Sequence, residues 1–221
     1  MTGNALDNVI QLIEMTFSSS LSFRLDGGAG ADTLMGTSSR DTYVVDSYAD
    51  VIIEQNTVVD SIDTVETGLD YSIQNRLDLE NIRLTGTAVS ATGNSDANVL
   101  EGHLVAGVNQ LAGLGGNDTY LVTLKDTVIE MVNGGNDTVV ISGWDELTDV
   151  YRWVSVSDYA NVENLTLDNV ATQGNFGQIL MRGNLQGDAG DNVLMGNMPQ
   201  MDDHPPRRLI GIQPHRWPTP A

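Results

Sequence analysis

The chain has 221 residues, enough for one domain or two small ones. It carries 30 acidic against 10 basic groups, a formal net charge of −20, and no cysteine. Disulfides, thiolate metal sites and cysteine nucleophiles are thereby excluded, and nucleic acid and anionic membranes are poor partners because like charges repel. The acids are 22 Asp and 8 Glu, and Lys125 is the single lysine. Gly, Asp and Asn exceed a quarter of the chain. These types disfavour helix interiors and suit tight turns and oxygen-rich loops. No apolar run approaches the roughly 18 residues of a membrane span, so no membrane insertion is expected. The first residues lack the basic and apolar regions of a cleaved secretion signal.

In chain order, residues 3–10 (GNALDNVI) give a degenerate repeat, and 11–24 (QLIEMTFSSSLSFR) an irregular insertion. Residues 27–35 then read GGAGADTLM, 36–44 GTSSRDTYV and 45–53 VDSYADVII. Asp falls at 32, 41 and 50, with an apolar residue two positions later at Leu34, Tyr43 and Ile52. A period of nine is incompatible with an amphipathic helix, whose apolar positions recur every three to four residues. The phase returns at 93–101 (GNSDANVLE), at 104–112 running into 113–121 (LVAGVNQLA, GLGGNDTYL), and at 187–195 (GDAGDNVLM).

A longer repeat lies over the short one. DTYVV at 41–45 is echoed by DTYLV at 118–122, DVIIE at 50–54 by DTVIE at 126–130, and DTV at 63–65 by DTV at 137–139. LENIRL at 79–84 is echoed by VENLTL at 162–167. The body is a duplicated array of a unit of roughly 80 residues. We divide the chain into 1–24 (degenerate repeat plus insertion), 25–197 (the array) and 198–221, a tail holding all six prolines. Proline cannot donate to a ladder, and the tail is expected to be disordered.

Physically, the Gly-rich half of the nonapeptide turns sharply and its second half forms a short strand with one inward side chain. Two turns and two strands close a coil of 18 residues, and coils stack about 4.8 Å apart in a parallel β-roll. Asp32 and Asp50 then share one edge and Asp41 lies on the other. Carboxylates and turn carbonyls converging between stacked turns suit Ca²⁺, which takes six to eight oxygen ligands. Leu34, Tyr43, Ile52, Leu100, Leu111, Tyr120 and Leu194 are expected in the core, as are Trp144 and Trp153.

At 27–35 the chain resembles the RTX (repeats-in-toxin) calcium-binding proteins, matching their nonapeptide at every fixed position. The resemblance implies an all-β parallel β-roll or solenoid, Ca²⁺ as cofactor, type I secretion and an extracellular location. It implies ligands at Asp26, Gly28, Gly30 and Asp32, then Gly113, Gly115 and Asp118, then Asp188 and Asp191. Leu114 and Asp188 stand in glycine slots and Asn192 in an aspartate slot, so few sites of weak affinity are expected. Asp41 and Asp50 read as turn or strand caps, and Asp137 as half a motif. Glu54, Glu80, Glu130 and Glu163 read as a repeated exterior position.

No catalysis is expected. GNSDA at 93–97 approaches a nucleophile elbow, but the parallel element at 3–7 has alanine in the serine slot. There is no H-E-x-x-H, P-loop or dinucleotide motif. The reading is a structural calcium-dependent segment of a secreted or surface protein, partnered by calcium, a surface glycan or further repeats. The alternatives are an adhesin spacer, for which no flat row of Thr or aromatic residues is evident, and the non-catalytic repeats of a polysaccharide-acting or hydrolytic enzyme.

Overall fold

The computed structural model describes residues 1–13, 21–54, 61–103, 107–142, 153–167, 184–188 and 190–195. Expectations for the tail at 198–221 and for Trp144 lie outside them. The described chain is all-β, with a single 3₁₀ turn at Val156–Asp158 capped by Ser155. Its strands are short because most carry only one or two inward side chains between two turns.

One parallel sheet contains nine strands: β2 (Ser22–Asp26), β4 (Arg40–Val45), β6 (Thr64–Thr67), β8 (Asn81–Leu84), β10 (Val99–Glu101), β12 (Thr119–Val122), β14 (Thr138–Ile141), β16 (Asn164–Leu167) and β18 (Val193–Met195). The strands between them in sequence form three smaller parallel sheets. These are β1 (Val9–Gln11), β3 (Thr33–Met35) and β5 (Val51–Ile53); β7 (Tyr71–Ser72), β9 (Ser90–Thr92), β11 (Gln110–Ala112) and β13 (Thr127–Ile129); and β15 (Trp153–Ser155) with β17 (Asn184–Gln186). Alternation between sheets, all pairings parallel, makes a β-solenoid. The nine-residue period is the step from one side to the other: Leu34 lies in β3, Tyr43 in β4 and Ile52 in β5.

Strict register builds the core. Leu25, Tyr43, Val65, Ile82, Leu100, Tyr120, Val139, Leu165 and Leu194 are successive partners along the large sheet. On the smaller sheets Ile10, Leu34 and Ile52 form one column and Ala91, Leu111 and Val128 another. All these side chains belong to one hydrophobic cluster, with Leu194 only partly buried against it. Full burial of one such side chain is worth about 1.5–3 kcal/mol, so the column drives coil stacking.

The 18-residue coil is kept along part of the stack, and irregular coils interrupt it. It holds from Leu25 to Tyr43, Leu34 to Ile52 and Ile82 to Leu100. Tyr43 instead pairs with Val65, Val65 with Ile82 and Val139 with Leu165, so coils shorten by one residue or lengthen by several. The strand starts stay aligned and the loops absorb the difference.

At the first full turn Gly28 has φ +77° and Gly30 φ +144°. A Cβ on them would lie 2.7 Å from the Asn4 carbonyl oxygen and 2.9 Å from that of Leu6, so turn 27–32 rests directly on turn 3–8. Leu114 takes φ +78° in the slot of Gly28, preserving the turn against the left-handed penalty of roughly 1–2 kcal/mol. Its neighbour Gly113 is different, because a Cβ there would overlap the Asp118 carboxylate and the Tyr120 hydroxyl. Leu114→Gly should therefore raise stability by about 1 kcal/mol, whereas Gly113→Ala should lower it by roughly 1–3 kcal/mol. Urea unfolding of the two variants beside wild type checks the opposite signs.

Candidate metal centre

Each strand of the large sheet from β6 onward is preceded by an acid or amide, and β4 carries Asp41 as its second residue. In stacking order these are Asp41, Asp63, Glu80, Asn98, Asp118, Asp137, Glu163 and Asn192. The duplication is now visible in space, as two runs of Asp, Asp, Glu, Asn. The acids from Asp63 onward clip coil to coil, while Asn98 and Asn192 accept N–H groups of their own turns. The Asp41 N–H donates to Asp63 Oδ1 at 2.7 Å and the Asp63 N–H to Glu80 Oε2 at 2.7 Å. Likewise Asn98 N–H donates to Asp118 Oδ1 at 2.7 Å, Asp118 to Asp137 Oδ1 at 2.8 Å and Asp137 to Glu163 Oε2 at 2.7 Å. On the opposite edge Asn8 donates to Asp32 Oδ1 at 2.7 Å and Asp32 to Asp50 Oδ1 at 2.9 Å, the stacking expected from the period.

The remaining oxygen often closes the residue's own turn. Asp50 Oδ2 accepts from the Asp46 and Ser47 N–H groups, and Asp126 Oδ2 from the Thr123 N–H and hydroxyl. Five residues before Asp32, Asp118, Asn8 and Asn98 stand Gly27, Gly113, Gly3 and Gly93, where a Cβ would overlap the side-chain oxygen. The first glycine of the motif thus makes room for the acid that folds back over it.

Two triads of carboxylates form where the chain brings a glutamate to this edge. Ligand atoms of Asp41, Glu54 and Asp63, and of Asp118, Glu130 and Asp137, lie within 4.8 Å of one another. The Tyr43 hydroxyl donates to Glu54 and the Tyr120 hydroxyl to Glu130. Asp41, Asp63, Asp118 and Asp137 are buried, at 1%, 0%, 1% and 0% exposure. Burial pushes the Asp118 carboxyl up to about 7, reinforced by Glu130 and Asp137, and burial likewise raises Asp63, Glu130 and Asp137. Glu80 is pushed up to about 7 by burial, then by the charges of Asp63 and other acids.

Of the sequence-derived ligands, Asp32, Asp118, Gly113 and Gly115 occupy buried or half-buried turns. Asp32 Oδ2 and Asp118 Oδ2 are buried without a hydrogen-bond partner. Asp26 accepts the Gly28 N–H at 3.2 Å and pairs with Arg24 at 2.8 Å. Gly28 and Gly30 pack on the coil below, and Gly115 donates to the Asn94 carbonyl at 3.3 Å. Asp188 and Asp191 are exposed, Asp188 accepting from Gly190 at 2.7 Å. The exterior reading of the four glutamates is corrected: Glu80 and Glu163 clip coils, and Glu54 and Glu130 complete the triads. The signal was present in the recurring D-T-Y, E and D-T-V of both long units. Around 93–97, Asn94 is buried and its amide donates to the Arg76 and Leu79 carbonyls at 2.8 Å, a structural role.

No protein-family model, curated protein or solved structure matches the chain. Among the described residues no helix is long and apolar enough to cross a membrane.

Raised carboxyl values mean that the metal-free fold holds protons more tightly than the unfolded chain. Their stabilising contribution is complete below the ordinary carboxylate range and is lost as pH rises through about 7. Thermal melts in chelator should accordingly show their highest midpoint near pH 4 and a transition that falls or is lost toward pH 8; a flat or rising profile would contradict this electrostatic picture.

Proposed function

We propose that the chain is a calcium-dependent structural β-roll of the RTX type, a non-catalytic segment of a secreted or surface bacterial protein. The observation that carries the reading is a set of four buried carboxylate oxygens without partners: Asp32 Oδ2, Asp41 Oδ1, Asp118 Oδ2 and Asp137 Oδ2. The other oxygen of each accepts an N–H, but a buried carboxylate oxygen left without a partner is costly, and a bound cation relieves that cost. The chain has 10 basic groups against 30 acidic ones, a net charge of −20, so a cation from solution is the natural counter-charge. The donors are all oxygen, which favours a hard ion, and irregular turn geometry with many carboxylates and carbonyls suits Ca²⁺ better than the octahedral Mg²⁺.

Folding and binding are then one process. Without the ion, like charges along each edge oppose stacking; with it, the carboxylates shed their protons and the coils close. Such a chain stays unfolded where calcium is scarce and folds outside the cell. Far-UV circular dichroism during a Ca²⁺ titration, with Mg²⁺ as control, tests this. A coil-to-β transition at roughly sub-millimolar to millimolar Ca²⁺ and absent with Mg²⁺ is expected. Full β-structure in chelator would reduce calcium to an accessory and sink the reading.

A second reading rests on the outer face of the large sheet. Thr42, Thr64, Asn81, Val99, Thr119, Thr138 and Asn164 are successive partners there, a mostly polar row, interrupted by Val99, that the sequence did not reveal. Such a row suits a repetitive ligand, as in an adhesin binding a surface glycan. Glycan-array binding abolished by Thr64→Lys and Thr119→Lys would support this reading; no binding by wild type would remove it.

A further inference from the structure

We propose that Asp118, Glu130 and Asp137 form a dedicated Ca²⁺ site, and that the duplicated triad Asp41, Glu54 and Asp63 is its metal-free counterpart. The inference rests on the chain being a cation-binding roll but not on its folding being calcium-dependent.

The two triads share their acids and their tyrosine and differ in what else reaches the carboxylates. In the first, Asp41 Oδ2 accepts the Thr37 N–H at 2.7 Å and its hydroxyl at 3.1 Å, and Asp63 Oδ2 accepts the Ser61 hydroxyl at 2.8 Å. Among the described residues Asp41 Oδ1 is the one buried carboxylate oxygen of that triad without a partner. In the second, the corresponding positions are Leu114, one residue after Gly113, and Gly135, two before Asp137. Neither carries a hydroxyl. Asp118 Oδ2 and Asp137 Oδ2 are both buried and unpartnered.

The turn itself enforces this difference. A Cβ on Gly135 would overlap the backbone oxygen of Gly116, so no serine fits. Leu114 at φ +78° occupies a conformation that a β-branched threonine resists. The space left is rich in oxygen. The missing Cβ of Gly134 would lie 2.9 Å from Glu130 Oε2 and 3.1 Å from the carbonyl oxygens of Leu114 and Met131. A missing Cβ at Gly113 leaves room where Asp118 Oδ2, the Tyr120 hydroxyl and Glu130 Oε1 converge. Three carboxylates with neighbouring carbonyls make an irregular, all-oxygen donor set, which suits Ca²⁺.

The test uses asparagine, because the wild-type stack already has it in the same slot at Asn98 and Asn192. The substitution keeps the coil-clipping acceptor and removes one charge, so the variants should fold; circular dichroism confirms it. The full chain, stripped with chelator, is titrated at neutral pH with Tb³⁺, whose luminescence a neighbouring tyrosine sensitises, and the ion is then displaced with Ca²⁺. Wild type should give a saturable signal reversed by Ca²⁺. Asp137→Asn and Asp118→Asn should each weaken binding by about tenfold or more, while Asp63→Asn leaves it within about twofold. Equal loss in Asp63→Asn, no loss in Asp137→Asn, or no ion uptake by calorimetry (protons alone satisfying the triad) would overturn the assignment. Calcium-driven folding that survives Asp137→Asn would remove this site and leave the calcium-dependent roll standing. Ion uptake by a chain already folded in chelator would do the reverse.

Discussion

A side-chain oxygen at the start of one strand accepting the backbone N–H at the start of the previous coil's strand is the contact on which the solenoid is organised. Every buried N–H needs a partner, and the residue entering a parallel strand is where the ladder would otherwise leave one open. Asp suits the task because it is short, and Glu does it at Glu80 and Glu163 by a longer reach. Since the clip fixes strand starts and nothing else, loops vary in length while Leu25 to Leu194 stay in one column.

The same contact creates the charge problem that defines the protein. Stacking acids on one edge places carboxylates at successive coils, inside a region where water is excluded. The chain relieves this in three ways. Asn98 and Asn192 interrupt the run of acids with neutral acceptors. Thr37, Ser61 and Thr123 supply hydroxyls to a carboxylate's second oxygen. At Asp118 and Asp137 neither device is present, and the burial that raises their carboxyls makes a counter-charge most favourable. Stability and ion affinity are therefore two readings of one electrostatic ledger, with opposite responses to pH.

On the outer face of the solenoid the charges behave ordinarily. Arg24 with Glu66 at 2.8 Å and Arg83 with Glu101 at 2.7 Å lie on the half-exposed outer face, where such pairs contribute about 0–1 kcal/mol. They flank the Thr and Asn row rather than the triads. The molecule thus separates a buried acidic edge from a flat outer face, and the two readings of its function draw on different sides of the same sheet.

The sequence by itself determined the solenoid, because a nine-residue period places one inward side chain per strand and alternates the sides; Leu34, Tyr43 and Ile52 do this as read. It also determined the stacking of Asp32 on Asp50, and the duplication. It could not determine coil lengths, since a period reveals the repeat and not the loop that interrupts it. Nor could it place Glu54 and Glu130, which look like exterior residues of a long unit and turn inward only because Tyr43 and Tyr120 hold them at the edge. The difference between the triads is tertiary as well. Thr37 and Leu114, or Ser61 and Gly135, acquire meaning only when folding brings each to a particular carboxylate oxygen, since hydrogen bonding is decided at distances of about 3 Å that sequence spacing does not specify.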